Sequence, residues 1–83
     1  MKGKKKRTLI FDKKGVEVFS KKFKELRKKS GFTQMQLAFE SGVSLSQIAR
    51  IETGRINPTI STIFVIARAM EIEPEEFFKF KLK

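Results

Sequence analysis

A chain of 83 residues with net charge +10, no cysteine and no histidine leaves no disulfide, thiolate metal site, cysteine nucleophile or imidazole base to consider, which removes most catalytic centres. It has the size of one small domain, near the limit at which a single core sustains a fold, so burial against a second copy is expected. The charge is lopsided: residues 1–29 carry 13 Lys/Arg against 3 Asp/Glu and residues 30–83 carry 6 against 6, which favours a polyanionic partner, nucleic acid first and an anionic membrane second, over lysines that only confer solubility.

Met1 to Arg7, "MKGKKKR", has no apolar residue after Met1 and reads as a basic arm. The next four residues, "TLIF", are β-prone. This start has only a three-residue apolar segment, far short of a signal-peptide core, and no run in the chain approaches the roughly 20 apolar residues that cross a bilayer. A cytoplasmic protein is expected, with no membrane partner.

Asp12 is a candidate N-cap for a first helix reaching about Lys29. Val16, Phe19, Phe23 and Leu26 recur at the helical period, with Lys21, Lys22, Lys24 and Lys28 on the other side. Thr33 caps a second helix, and Gln36 three residues on completes a capping box. Leu37 and Ala38 face inward. The hinge Ser41-Gly42-Val43-Ser44 follows, with Gly42 free to turn sharply, Val43 plugging the turn and Ser44 capping a third helix, about 45–53, that Gly54 ends. After the loop "GRINPT", Thr59 caps a fourth helix whose inward stripe is Ile60, Ile63, Ala67 and Met70. Phe64, Val65 and Ile66 widen its apolar arc beyond what one core needs. Pro74 opens a short fifth helix through Phe78, and the tail "FKFKLK" alternates as a half-buried strand would. The class is therefore all-α, five short helices, with terminal strands (Thr8 to Phe11 and Phe78 to Leu82) expected to pair within one chain or across a dimer.

Two helices joined through a short Gly-containing turn have helix-turn-helix geometry, in which the second helix enters the major groove. With Ile48 and Ile51 turned inward, the third helix presents Leu45, Ser46, Ala49, Arg50 and Thr53. None is Glu or Lys, the residues an ordinary solvent-facing strip favours. Small side chains allow close approach to a groove, while a guanidinium fork, hydroxyls and an apolar side chain are the types that read base edges.

The sequence resembles the Cro/lambda-repressor-type helix-turn-helix proteins, the XRE family, through "LRKKSGFTQMQLAFESGVSLSQIARIETGRINPT" and on through "IARAMEIEPEEFF". The likeness lies in T-Q-x-x-L-A, S-G-V-S, I-x-x-I-E-x-G and N-P-T at these spacings, and within the family the chain looks like the small stand-alone regulators: phage repressors, restriction-modification controllers or antitoxin-like autoregulators. It implies a lambda-repressor-like domain at 12–78, between an arm at 1–11 and a tail at 79–83. It also implies Ser44, Leu45, Ser46 and Arg50 as base-contacting, and Gln34, Gln47, Ala49, Arg55 and Asn57 as contacts to the DNA backbone. Arg27 and Glu52 match a structural salt bridge between helices 1 and 3. A homodimer on a near-palindromic operator follows, with Phe64, Val65, Phe77 and Phe78 as interface candidates. No cofactor, metal or small-molecule ligand is expected, and no enzymatic activity, since Glu71, Glu73, Glu75 and Glu76 read as a solvated helix-start cluster. The competing function is a protein-interaction adaptor that reuses the fold without base readout, to which Phe39, a departure from the family pattern, points if it is exposed.

Overall fold

Four side chains, each one residue ahead of a helix, fix where the helices begin. In the computed structural model, which describes residues 10–82, the Asp12 carboxylate accepts from the Gly15 amide (3.0 Å) and α1 runs Lys13–Lys29. Its last turn carries Arg27, Lys28 and Lys29, cations placed where the helix carbonyls point. The Thr33 box closes in both directions, Gln36 N to Thr33 Oγ1 at 3.0 Å and Thr33 N to Gln36 Oε1 at 2.9 Å, opening α2, Gln34–Ser41. Ser44 Oγ accepts from Gln47 N (3.1 Å) and opens α3, Leu45–Glu52. Thr59 Oγ1 accepts from Thr62 N (3.1 Å) and opens α4, Ile60–Met70. A 3-10 helix, Pro74–Phe78, follows with proline in its first turn.

Only three residues separate α2 from α3. Gly42 makes that possible: at φ 79° it is left-handed, and its amide donates to the Ala38 carbonyl (2.9 Å) where the chain turns out of α2. α2 packs against α3 and α4, and α1 against α3 and the 3-10 helix. The core between them contains Phe19, Phe23, Leu37, Ile48, Ile51, Ile63, Ile66, Ala67, Met70 and Phe77. Phe77 stacks on Phe23, ring centroids 5.5 Å apart, and tilts against Phe19 at 5.9 Å, so the 3-10 helix closes the open side of α1.

The all-helical class and the helix positions agree with the sequence reading; three details differ. Among the described residues there is no strand. Phe78 belongs to the 3-10 helix, and the tail after it folds back locally, Phe80 N donating to Phe78 O at 2.9 Å, so its backbone groups are taken by turns rather than a ladder. Thr8 and Leu9, with the basic arm, lie outside the described residues, as does Lys83. Ile60, expected inward, is 63% exposed at the first position of α4, and Ile66 takes the buried place instead. Phe77, expected at an interface, is fully buried, because the short 3-10 helix turns alternate rings to opposite sides: Phe77 into the core, Phe78 outward.

α4 ends at Glu71 with φ 59°, the one non-glycine among the described residues with positive φ. A side chain there is strained, and its carboxylate sits at the negative end of the helix. Glu71→Gly is expected to stabilise the fold by about 0.5–1 kcal/mol. Thermal unfolding measures this; an unchanged or lower melting temperature would contradict it.

Candidate nucleic-acid interface

The outward strip of α3 is where the sequence places it. Ile48 and Ile51 are buried, which turns Ser44, Leu45, Ser46, Arg50 and Thr53 to solvent and leaves Gln47 and Ala49 half-buried at the strip's edges. The Thr53 hydroxyl is used locally, on the Ala49 and Arg50 carbonyls (3.2 Å each). Arg50 takes part in no ion pair among the described residues, so its guanidinium fork is available to an external acceptor. The Ser46 hydroxyl makes no bond to another described residue either, whereas Ser44 Oγ already accepts from Gln47 N.

What holds this strip in place is a buried ion pair. Arg27, at the end of α1, meets Glu52, at the end of α3, through two parallel contacts: Nε to Oε2, and Nη2 to Oε1 at 3.1 Å. The Arg27 Nη1 donates to the Phe32 carbonyl (2.8 Å) in the turn before α2. Gln34 Nε2 donates to the same Glu52 oxygen at 3.0 Å. Four segments are thus tied to one carboxylate. Glu52 is neutralised by a fork whose geometry matches it, and no buried side-chain polar atom among the described residues lacks a partner. The Arg27 and Glu52 pairing agrees with the expectation. Gln34, expected at a phosphate, is also part of this scaffold, and one of its two amide hydrogens remains free.

Two further contacts position the end of α3. Gly54, at φ +74°, lies against α1 so closely that a Cβ there would stand 3.3 Å from Ser20 Oγ. The Arg55 amide donates back to the Arg50 carbonyl (3.0 Å), which tethers the following loop to α3. Arg55 and Asn57 are exposed. Asn57, however, borders a different feature, an apolar groove of about 480 Å³ where Ile10, Val16, Phe19, Ile60, Phe78 and Leu82 converge. Of the interface candidates, Phe64 and Phe78 are partly exposed, Val65 packs against the core and Phe77 lies within it. Sequence reasoning missed Ile60, one turn before Phe64, because a first-turn residue follows the helical period without yet being covered. It missed Met35 too, although its spacing of four from Phe39 was visible.

Comparison with known proteins agrees with this architecture. The helix-turn-helix family HTH_3 matches residues 23–77. An uncharacterized HTH-type transcriptional regulator of Sinorhizobium fredii is 35% identical over 54 residues, 65% of this chain and 70% of that one. The immunity repressor protein of Bacillus phage phi105 is 40% identical over 52 residues, 63% of this chain and 36% of the repressor, so the match spans about a third of that protein. Among solved structures, the restriction-modification controller protein C.AhdI from Aeromonas hydrophila superposes with a TM-score of 0.73 at 36% identity, covering 76% of this chain and 96% of that one.

Removing one partner of the ion pair strands a buried charge. Arg27→Ala is expected to cost about 3–5 kcal/mol, and the double change Arg27→Met with Glu52→Leu much less. Urea unfolding of both variants checks this; equal losses would show that the cost is packing rather than charge.

Proposed function

The chain belongs to the helix-turn-helix family of transcriptional regulators, and we propose that it binds a specific DNA duplex as a homodimer, with α3 in the major groove. The observation that carries this reading is the outward strip of α3: small side chains around one unpaired guanidinium, on a helix clamped at its end by the Arg27 and Glu52 pair. Arg50 is assigned a guanine edge, Ser44 and Ser46 hydroxyl contacts to bases, and Leu45 a thymine methyl. Gln47, Ala49 and Arg55 flank the strip where the phosphates run. The free amide hydrogen of Gln34, at the start of α2, points the same role out for that residue, and Asn57 is assigned a backbone contact from the loop. The basic arm, outside the described residues, adds phosphate neutralisation without base preference.

The homodimer reading rests on Ile60, Phe64 and Phe78, large apolar side chains left exposed on and beside the groove at the start of α4. A pair of chains joined there reads two half-sites about one helical turn apart. The family acts by regulation of transcription rather than catalysis.

Selection of bound fragments from random duplex DNA is expected to enrich an inverted repeat. On the enriched duplex, Arg50→Ala should weaken binding by about 1–3 kcal/mol and relax discrimination at one base pair in each half-site. Recovery of no preferred sequence, or unaltered discrimination in the variant, rejects base reading by α3. Phe64→Glu is expected to shift sedimentation from dimer to monomer and, with the loss of dimer burial, to make the melting temperature lower and independent of protein concentration; a dimer of unchanged stability places the interface elsewhere.

A further inference from the structure

Three stretches far apart in the chain, within residues 10–19, 57–63 and 78–82, wall the groove at the start of α4. Phe19, 8% exposed, is its floor; the ring of Phe78 tilts against it at 5.4 Å, and that of Phe80 follows at 6.3 Å. Ile10, Ile60 and Leu82 form the rim and are mostly exposed. At about 480 Å³ the groove has the volume of a small-molecule site. No local pattern announces a wall assembled from three places, so the sequence alone points to no such ligand.

The wall carries charge of one sign. In a chain of net charge +10, its one ionisable side chain is the carboxylate of Asp12. Asp12 Oδ1 accepts from the Gly15 amide, and among the described residues no cation pairs with this carboxylate. Phe78, Phe80 and Leu82 line the groove, whereas Lys79 and Lys81, which alternate with them, do not, and Lys79 is engaged by Glu76 at 3.0 Å. The faces of aromatic rings are negative, so rings tilted around one hollow attract an organic cation, most of all with a carboxylate beside them. An anion would meet repulsion from both. A neutral apolar molecule would gain from neither.

We propose that this groove binds an organic cation with aromatic bulk, of the aryl-substituted ammonium or phosphonium class, and that its occupation opposes the dimer. The inference rests on the reading that Ile60 and Phe78 join two chains: a ligand lying on them takes the same apolar surface. A cation that binds the monomer better draws the equilibrium away from the dimer, and by linkage the dimer lowers affinity for the cation by the same factor. A monomer holds one half-site where a dimer holds two, so DNA is released without any contact between the ligand and α3. No residue of α2 or α3 lines the groove.

The test uses the full chain, dilute and without DNA, and methyltriphenylphosphonium, with triphenylphosphine oxide as an uncharged ligand of nearly the same shape. The phosphonium is expected to shift the amide resonances of residues 10–16, 60–63 and 78–82 with a dissociation constant on the order of 100 µM. The oxide should bind about fivefold more weakly. Asp12→Asn, which keeps a capping side chain, should weaken the phosphonium by about two- to fivefold and leave the oxide unchanged. Phe80→Leu, which keeps the wall apolar but removes a ring, should weaken the phosphonium to a similar degree, about two- to fivefold. Shifts confined to other faces, equal binding of the two ligands, or parent affinity in both variants overturns the proposal. So does a groove whose resonances respond to protein concentration and never to the phosphonium, which would leave a second copy as its only occupant. Sedimentation of the same mixtures at higher protein concentration reads the coupling. Saturating phosphonium is expected to raise the dimer dissociation constant about tenfold, and an unchanged constant overturns the opposition to the dimer. A chain that is monomeric throughout rejects the dimer reading and the coupling with it, and the titration still decides the site.

Discussion

One carboxylate organises the working side of this domain. Glu52 receives the Arg27 fork and the Gln34 amide, and Arg27 in turn holds the Phe32 carbonyl. The end of α1, the turn after it, the start of α2 and the end of α3 therefore share one hydrogen-bonded centre. A hydrophobic contact in this place would fill space, but it would not fix orientation, because apolar side chains slide where a two-pronged ion pair does not. The cost is that both charges are out of water and depend on each other. The core alone sets how close the helices lie. Burial of Ile48 and Ile51 sets which side of α3 faces out, and the ion pair at Glu52 anchors the end of that helix to α1 and α2.

Around that centre the domain separates its surfaces. The strip on α3 is polar and small. The start of α4 is apolar and opens onto a groove, and the outer face of α2 exposes Met35 and Phe39. Each sits on a different element, so burial of one does not require movement of the others. A domain this short has few faces, and it keeps three of them unfilled by its own core.

Much of this was legible in the sequence because it is encoded locally. Asp12, Thr33, Ser44 and Thr59 each announce a helix through a hydroxyl or carboxylate one residue ahead of it, and all four make the expected bond. Ile48 and Ile51 fix the rotation of α3, so its outward strip followed from the period alone. What was not legible depends on contacts between distant segments. The alternation of "FKFKLK" matches a strand, but a strand needs a partner ladder, and among the described residues the tail finds its hydrogen bonds in local turns. Phe77 and Phe78 are equivalent by composition, and only the direction of the 3-10 helix against α1 sends one ring onto Phe23 and the other to the surface. Gln34 was readable as a residue at a helix start. Its bond to Glu52 spans 18 positions and has no local signature.

Two side chains of the strip on α3 are insulated from what keeps the domain folded, unlike Ser44, which caps the helix. Ser46 and Arg50 touch neither the ion pair nor the packed interior, so exchanging them leaves the scaffold's free energy almost unaltered. Such positions can drift or be selected without passing through unfolded intermediates. On the proposed reading of α3, a duplicated copy of this chain could acquire a new target in one or two steps, and related regulators built on it could coexist without cross-talk once those few side chains diverge.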